Sequence, residues 1–172
     1  TACDAAGTEI PVHVLGKALQ PLVSDSSSHR RVEALRDEIF AEVNYHAAYE
    51  PMRCVRSEGY KYIRRYDGRE RLVLPNIDET PAKQLLLEHG WTEQPRPQEM
   101  LYDLIFDPDE ADNLIENSEM ADVLADMRGR LDRWMQETDD PLLPDGHVRA
   151  PRGSKVSDVD GLTPRDDVRT TP

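Results

Sequence analysis

A polar group between Glu42 and Arg53 contains the residue types most able to do chemistry in this sequence. Its members are Glu42, Asn44, His46, Tyr49 and Arg53. The first three alternate with a period of two, which is typical of one face of a β-strand. Together, these side chains could hydrogen-bond and charge-pair with an anionic or sugar-like ligand. They could also form a structural network or simply face water, and the sequence leaves these alternatives open.

No catalytic or metal-binding motif accompanies this group. The patterns GxxxxGK[ST], GxGxxG, HExxH and GxSxG are absent, and no nucleophile has a base beside it. The acidic string from Asp107 to Asp112 lacks the glycine and the terminal glutamate of an EF-hand loop, so helix capping explains it better. Cys54 lies in a predicted strand, where a small buried side chain is favoured over a reactive thiolate. We therefore expect no catalytic residue and no metal ligand in this chain.

The strand that carries the polar group is predicted to belong to an antiparallel sheet. Its alternation places Ile39, Ala41, Val43 and Tyr45 on one face and Phe40, Glu42, Asn44 and His46 on the other. Glu50-Pro51 then predicts a turn. The segments "MRCVRS" and "YKYIRRY" predict a hairpin joined at Glu58-Gly59, and "EMLYDLIF" predicts a further strand.

Helices are predicted on either side of that last strand. "PAKQLLLEHG" predicts a short helix that ends at Gly90, and a capping box at Asp107-Pro108 with Glu110 predicts a helical turn. From Met120 to Met135, apolar residues recur at intervals of three and four, which predicts a helix of about four turns with one apolar stripe. The fold class is therefore α+β, with about four antiparallel strands packed against a long C-terminal helix.

Composition excludes several classes of function. The 172 residues include 34 acidic and 21 basic ones, and the net charge of −13 disfavours nucleic acid and anionic membranes as partners. Cys3 and Cys54 are too few for a disulfide framework, and no apolar run is long enough to span a membrane. No signal sequence is visible, so the compartment stays unassigned. The chain starts at Thr1, in what resembles the end of a helix capped by Gly7, and we expect a fragment or a processed chain.

Several segments of the chain are similar to the sulfatase family. "TACDAAGTEIPVHVLGKAL" resembles the segment in which a helix "PTLCDLAG" leads through a proline turn to "G-K/R-S-L-x-P-L". "EVNYHAAYEPMRCVRSEGYKYIRRY", "LYDLIFDPDEADNL" and "LDRWMQETDDPLL" look like the C-terminal part of that family. A tryptophan followed by "ETxDP" is typical of the heparan N-sulfatase (sulfamidase) branch. The resemblance covers roughly residues 1–143.

The resemblance implies a two-part enzyme of the alkaline-phosphatase superfamily. Its large α/β domain would hold calcium and a formylglycine made from the cysteine or serine of C/S-x-P-x-R. This chain lacks that motif and the metal-binding Asp-Asp pair, and Cys3 and Cys54 are not followed by Pro and Arg at the required offsets. On this basis residues 1–28 would be the end of the large domain and a connector, 29–143 the C-terminal subdomain, and 144–172 an extended or disordered tail.

The function implied is that of a sulfatase acting on sulfate esters or N-sulfo groups of sugars. This segment would shape the substrate cleft beside the N-terminal catalytic domain, its polar strand face touching sugar or sulfate, and it would be inactive alone. The sequence leaves a homo-oligomer open. Two alternatives also remain: part of a phosphonate monoester hydrolase or phosphodiesterase of the same superfamily, and a non-catalytic glycan-binding module.

Overall fold

The computed structural model describes residues 2–23 and 34–172, and the chain divides into two compact units, residues 1–38 and 39–172. The first unit contains the short helices α1 (Ala2–Ala5) and α2 (Gln20–Val23). Gly7 has a left-handed backbone (φ 65°), which confirms it as the stop of the first helix. Two side chains of this unit donate to distant carbonyls: Lys17 Nζ to Leu35 O at 2.8 Å, and Arg36 to Leu15 O. The serine cluster "SDSSS", for which the sequence predicts a surface loop, lies outside the described residues.

The second unit is built on a four-stranded antiparallel sheet, as the sequence predicts. Its strands follow one another in the order β1-β2-β3-β4. They are β1 (Glu38–Tyr45), β2 (Tyr49–Ser57), β3 (Tyr60–Arg65) and β4 (Glu99–Asp103). The hairpin of β2 and β3 turns at Glu58-Gly59, where the sequence places it.

Strand register separates the two faces of this sheet. Val55, Tyr62 and Leu101 lie side by side across three strands, and all three are fully buried. The adjacent row consists of Cys54, Ile63 and Met100, which are only half-buried. Because neighbouring residues of a strand point to opposite faces, the buried row and the half-buried row lie on opposite sides of the sheet.

The long helix α4 (Ala121–Glu137) covers the buried face, and its predicted apolar stripe is confirmed. Met127, Leu131 and Met135 are its buried residues. Together with sheet residues and Leu142 they form the hydrophobic core of the unit. Burial of each such side chain contributes about 1.5–3 kcal/mol of transfer free energy. The apolar contacts therefore supply most of the free energy that holds the helix on the sheet.

The predicted turn at Glu50-Pro51 is wrong. The chain reverses at residues 46–48, and Pro51 is a buried residue of β2. The reason is a side chain far along the sequence: Asn76 Oδ1 accepts hydrogen bonds from the backbone amides of Ala47 (2.9 Å) and Ala48 (2.7 Å). Local turn propensity could not reveal a partner 28 and 29 residues away.

The segment between β3 and β4 contains α3 (Pro81–Glu88), which confirms the predicted short helix. Thr80 caps its start by accepting from the Lys83 amide at 3.2 Å, and Gly90 follows its end in a left-handed conformation (φ 77°). The Lys83 ammonium is buried and donates to the carbonyls of Leu74, Ile77 and Leu162.

The predicted helical turn after Asp107 does not form. Asp107 Oδ2 accepts from the Asp112 amide at 2.9 Å, and Glu110 has a positive φ of 55°. The Glu110 carboxylate reaches Lys61 on β3 at 2.5 Å instead of returning to the start of a helix. A contact with the sheet has therefore replaced the capping box.

The final residues follow α4 and return to the sheet. They form α5 (Leu142–Asp145) and two short paired strands, β5 (Lys155–Val156) and β6 (Arg169–Thr170). Ser157 N donates to Ala47 O at 2.8 Å, which attaches this segment to the β1–β2 turn. The sequence predicts an extended or disordered tail over 144–172 and gives no signal for these contacts. None of the helices in the described residues is long and apolar enough to cross a membrane.

Candidate functional site

The structure divides the five candidate residues into two groups. Glu42 and Asn44 lie on β1 beside the guanidinium of Arg53 on β2. Phe40, on the same face of β1, stacks on Trp134 of α4, so this face points towards the helix. His46 and Tyr49 lie at the β1–β2 turn, close to the residues that follow α5.

Arg53 is fully buried, and its N–H groups are occupied within the chain. Nε donates to Asp140 Oδ2 at 2.6 Å and Nη2 to Asp140 Oδ1 at 2.9 Å. Nη1 donates to Asn44 Oδ1 at 3.0 Å and to the carbonyls of Val43 (3.1 Å) and Met52 (2.9 Å). This guanidinium therefore organises the surrounding protein atoms and has no accessible surface in this structure.

Asp140 completes the pair from the segment that follows α4. It is 2 % exposed, and the Leu142 amide donates to its Oδ1 at 2.9 Å. Burial by itself would raise the pKa of Asp140, but the hydrogen bonds from Arg53 and from the Leu142 amide outweigh burial and lower it. The carboxylate is thus held ionised against its buried partner.

The segment "WMQETDDP" therefore has a structural explanation. Trp134 stacks on Phe40 with ring centroids 4.9 Å apart and planes only 4° from parallel. Asp139 adopts a positive φ of 49°, so the chain turns sharply there and Asp140 reaches Arg53. The tryptophan and the second aspartate of this segment attach the helix end to β1 and β2, which is a packing role.

Tyr49 and Tyr45 hold the residues that follow α5. Tyr45 Oη donates to Val148 O at 2.9 Å, and Val148 N donates to Tyr49 Oη at 3.1 Å. The Tyr49 ring also meets the edge of the His147 ring, with centroids 4.5 Å apart. Burial raises the pKa of Tyr45. Both phenols are therefore tethers between the β1–β2 turn and the last segment of the chain.

Two members of the candidate group remain exposed. The Glu42 side chain is 53 % exposed, with Oε2 3.6 Å from Arg53 Nε. His46 is exposed, and its backbone amide donates to Ala48 O. A substrate could reach these two side chains without any rearrangement of the strand. Contact between the five residues and a sugar or sulfate stays a prediction.

A second charged cluster on the helix face was not predicted. Glu99 of β4 accepts from Tyr62 Oη at 2.5 Å and from Arg128 of α4. Burial, followed by the hydrogen bond to Glu99, raises the pKa of Tyr62. For Glu99, burial acts to raise the pKa, but Arg128 and Tyr62 outweigh it and the pKa is lowered. This cluster joins helix and sheet, as Arg53 and Asp140 do at the other end of the helix.

The middle of the sheet face opposite α4 is only partly covered by the residues that the structure describes. The row of Cys54, Ile63 and Met100 is half-buried, and Ile39 on β1 is 55 % exposed. Burial raises the pKa of the Cys54 thiol, so it is a packing residue and not an activated nucleophile. We call this surface the open face.

No metal site is visible in residues 2–23 and 34–172. Within those ranges, no group of three or more His, Cys, Asp or Glu side chains is arranged to hold an ion. Asp140 and Glu99 each pair with an arginine side chain and not with other carboxylates.

Comparison with known proteins points to one family. Two proteins of Formosa agariphila named ulvan-active sulfatase are similar in sequence. One is 33 % identical over 119 residues, which are 60 % of this chain and 20 % of that protein. The other is 28 % identical over 181 residues, which are 96 % of this chain and 34 % of that protein. The solved structure of a 2-O GAG sulfatase has the same fold, with a TM-score of 0.56 and 24 % identity over 81 % of this chain and 24 % of that one. No family model matches.

These similarities support the sulfatase resemblance of the sequence. The α+β fold, a four-stranded antiparallel sheet with a C-terminal helix, matches the C-terminal subdomain of sulfatase structures. The chain spans only about a fifth to a third of the length of the curated relatives that it matches.

Proposed function

We propose that this chain is the C-terminal part of a sulfatase that hydrolyses sulfate esters or N-sulfo groups on sugars. The observation that carries the proposal is the 33 % identity to an ulvan-active sulfatase over 119 residues. The shared fold supports it independently of that alignment. Because the chain spans about a third of the second relative, most of such an enzyme would lie outside it.

The nucleophile and the metal would belong to that other part. The sulfatase resemblance calls for formylglycine and calcium, and the described residues offer neither the C/S-x-P-x-R motif nor a cluster of metal ligands. In this proposal the present chain supplies no catalytic residue. It stabilises the catalytic domain and forms one wall of the substrate cleft.

The open face is the surface that we assign to the catalytic domain of the same protein. It combines the apolar row of Cys54, Ile63 and Met100 with the exposed Ile39 of the neighbouring strand β1. The matched segment is about a third of the second relative, so in such an enzyme a large covalently attached partner is available to cover this surface.

Within the candidate group, exposure separates two roles. We assign contact with sugar or sulfate to Glu42 and His46, whose side chains are accessible. Asn44, Tyr49 and Arg53 hold the strand and the turn from which those two project.

The bond that the parent enzyme breaks is open to experiment. The segment "WMQETDDP" is typical of the heparan N-sulfatase branch, but Trp134 and Asp140 already have packing roles that any sulfatase of this fold could use. An N-sulfo group and a sulfate ester are therefore both candidate substrates.

The test is an assay of the full-length parent enzyme, obtained by cloning the gene that encodes this segment. Release of sulfate is measured from an aryl sulfate, from a sulfated sugar and from a sulfamate sugar, with a phosphodiester as the comparison substrate. We expect sulfate release by the parent and none by the 172-residue chain alone. Phosphodiester hydrolysis without any sulfate release would overturn the proposal in favour of a phosphodiesterase of the same superfamily.

A further inference from the structure

A surface cleft lies where the last segment of the chain meets the β1–β2 turn. It has a volume of about 520 Å³. One wall is formed by Lys155 and Thr170, which are paired across the β5–β6 hairpin, and the other by Pro164 and Arg165. Ala47 contributes from the turn, next to the exposed His46.

Hydrogen bonds fix the shape of this cleft. Ser157 is 6 % exposed, and its amide donates to Ala47 O at 2.8 Å while its hydroxyl donates to Pro164 O at 2.8 Å. The two walls are thus joined through a single buried residue. A cleft held in this way does not need to be ordered when a ligand enters, which lowers the entropic cost of binding.

The charge of the cleft is opposite to that of the chain as a whole. Its lining contains Lys155 and Arg165 and no carboxylate, although the net charge of the protein is −13. In the part of the chain that the structure describes, neither cation makes an ion pair or a side-chain hydrogen bond.

Nearby acidic side chains are occupied elsewhere. Asp158 pairs with Arg169 at 2.9 Å, and Asp166 accepts from the amides of Leu162 and Thr163. Hydrogen bonds with Thr163 are the main reason that the pKa of Asp166 is lowered. Neither Asp158 nor Asp166 therefore pairs with a cation of the cleft.

We propose that this cleft is a binding subsite for a sulfated saccharide, and this inference rests on the proposed sulfatase function. Sulfate oxygens accept hydrogen bonds from ammonium and guanidinium groups, and Lys155 with Arg165 offers one of each. Sugar hydroxyl groups can pair with the Thr170 hydroxyl on the same wall. The acidic remainder of the surface repels a polyanion and directs it to this cleft.

The subsite is distinct from the strand face that carries Glu42, because it is built mainly by residues 155–170. Because the proposal places no nucleophile in this chain, the subsite would act by holding a sugar unit of the substrate. The expected effect is therefore on the binding of a saccharide, and not on the hydrolysis of a small sulfate ester.

The test is calorimetric titration of the 172-residue protein with a heparin-derived hexasaccharide. The same hexasaccharide after removal of its sulfate groups and sodium sulfate serve as the comparison ligands. We expect binding of the sulfated hexasaccharide that weakens with added salt, and no binding of the desulfated one. Replacing both cations, Lys155→Gln with Arg165→Gln, should weaken binding about tenfold, the effect of two partly exposed charge contacts.

A charge-matched variant controls for unspecific attraction. Arg56→Gln with Arg133→Gln removes two exposed cations that have no ion pair in the described residues and do not line the cleft. Binding should be unchanged in this variant. Val168→Glu adds a carboxylate to the cleft and should weaken binding as the double glutamine variant does. Circular dichroism establishes that each variant is folded.

Four results would overturn the subsite. They are normal binding by the Lys155→Gln, Arg165→Gln variant, equal loss of binding in both double variants, equal binding of the desulfated hexasaccharide, and binding of sodium sulfate as strong as that of the hexasaccharide. Aryl sulfate hydrolysis by the parent enzyme separates this failure from failure of the proposed function. If the parent cleaves aryl sulfate and the cleft variants bind the hexasaccharide normally, the subsite is refuted and the proposed function is not.

Discussion

Arg53 and Asp140 are 87 positions apart, yet they form a buried pair with two parallel hydrogen bonds, Nε to Oδ2 at 2.6 Å and Nη2 to Oδ1 at 2.9 Å. The pair joins the second strand of the sheet to the chain just beyond α4. Asn44 and two backbone carbonyls use the remaining guanidinium N–H groups. A residue that looks like a ligand-binding arginine in the sequence is therefore the centre of a network that orients the candidate strand.

The first prediction concerns the stability that depends on this pair. Asp140→Ala leaves the Arg53 cation buried without a counterion, and we expect a loss of about 3–5 kcal/mol in the free energy of unfolding. Replacing both residues by apolar ones, Arg53→Met with Asp140→Leu, should restore much of that loss because no charge is then stranded. Urea denaturation followed by circular dichroism measures both values.

The matched control for that experiment is the exposed pair of Arg64 and Asp132. These side chains are 38 % and 53 % exposed and 3.3 Å apart. Asp132→Ala should cost about 1 kcal/mol or less, since solvent screens such a pair. Similar losses of unfolding free energy for Asp132→Ala and Asp140→Ala would show that the buried network contributes no more to stability than an exposed ion pair.

The second prediction is the pH dependence that Asp140 imposes. The pKa of Asp140 is lowered in the folded protein, so the folded state stabilises the ionised carboxylate more than the unfolded chain does. The resulting stability is fully present above the unfolded carboxyl pKa of about 4 and is lost as pH falls through the folded pKa. The difference in unfolding free energy between the wild type and Asp140→Asn should therefore shrink as pH falls below about 4.

Thermal unfolding of both proteins across that pH range measures the difference, with Asp132→Asn as the control for the removal of one acidic charge. A gap between wild type and Asp140→Asn that stayed constant down to the acid transition would contradict the assignment of Asp140 as a stabilising carboxylate.

The third prediction concerns the stacked rings of Phe40 and Trp134. Their parallel planes and 4.9 Å separation should give a coupling energy of about 0.5–1.5 kcal/mol beyond the loss of buried area. A double-mutant cycle with Phe40→Leu and Trp134→Leu isolates this energy from the two single losses. A cycle that closes to zero would mean that the two side chains contribute only through burial.

The sheet and the long helix could be predicted because local patterns determine them. Alternation identifies β1, and the three-and-four spacing from Met120 to Met135 identifies α4, since each pattern is visible within one element. The β1–β2 turn could not be placed because Asn76 holds it from 28 and 29 residues away. Long-range partners of this kind leave no periodic signal.

For the same reason, the contacts that hold the candidate group could be predicted only in part, and its contact with a ligand stays a prediction. The alternation of the group along β1 is a local pattern. The groups that bind the Arg53 guanidinium, however, include Asp140, which has no recognisable relation to β2 in the sequence. The useful signal was an acidic residue just beyond the end of a long helix, in "ETDDP". A lone strand arginine and a carboxylate at a helix end are worth testing as a pair before either is assigned to a ligand.

The fourth prediction concerns the tethers to Val148. Tyr45→Phe and Tyr49→Phe each remove one hydrogen bond to the backbone of that residue, at a cost of about 1 kcal/mol each. Because the bonds hold the segment after α5, hydrogen exchange at residues 148–157 should accelerate more than exchange in the core of the sheet. Tyr102→Phe is the control, since its hydroxyl makes no hydrogen bond to the residues that the structure describes. Uniform acceleration across the whole unit would argue against a local tether.

The fifth prediction tests the open face as the surface that meets the catalytic domain. Cys54 lies in the half-buried row with Ile63 and Met100, and burial raises the pKa of its thiol. In the isolated chain we expect slow but measurable alkylation by iodoacetamide at neutral pH, because only the thiolate reacts. In the full-length parent, Cys54 should be protected further, by about tenfold or more, since the covered face must open before the reagent can enter.

Mass spectrometry of the peptide that contains Cys54 gives the rate in both proteins, and Cys3 in the same digest reports the general reactivity of thiols. Ile63→Asp provides the matched perturbation: a carboxylate on the open face should leave the isolated chain folded but expose Cys54 in the parent, because the charge would be buried by the interface. Equal alkylation rates of Cys54 in the chain and in the parent would place the catalytic domain against another surface of this unit.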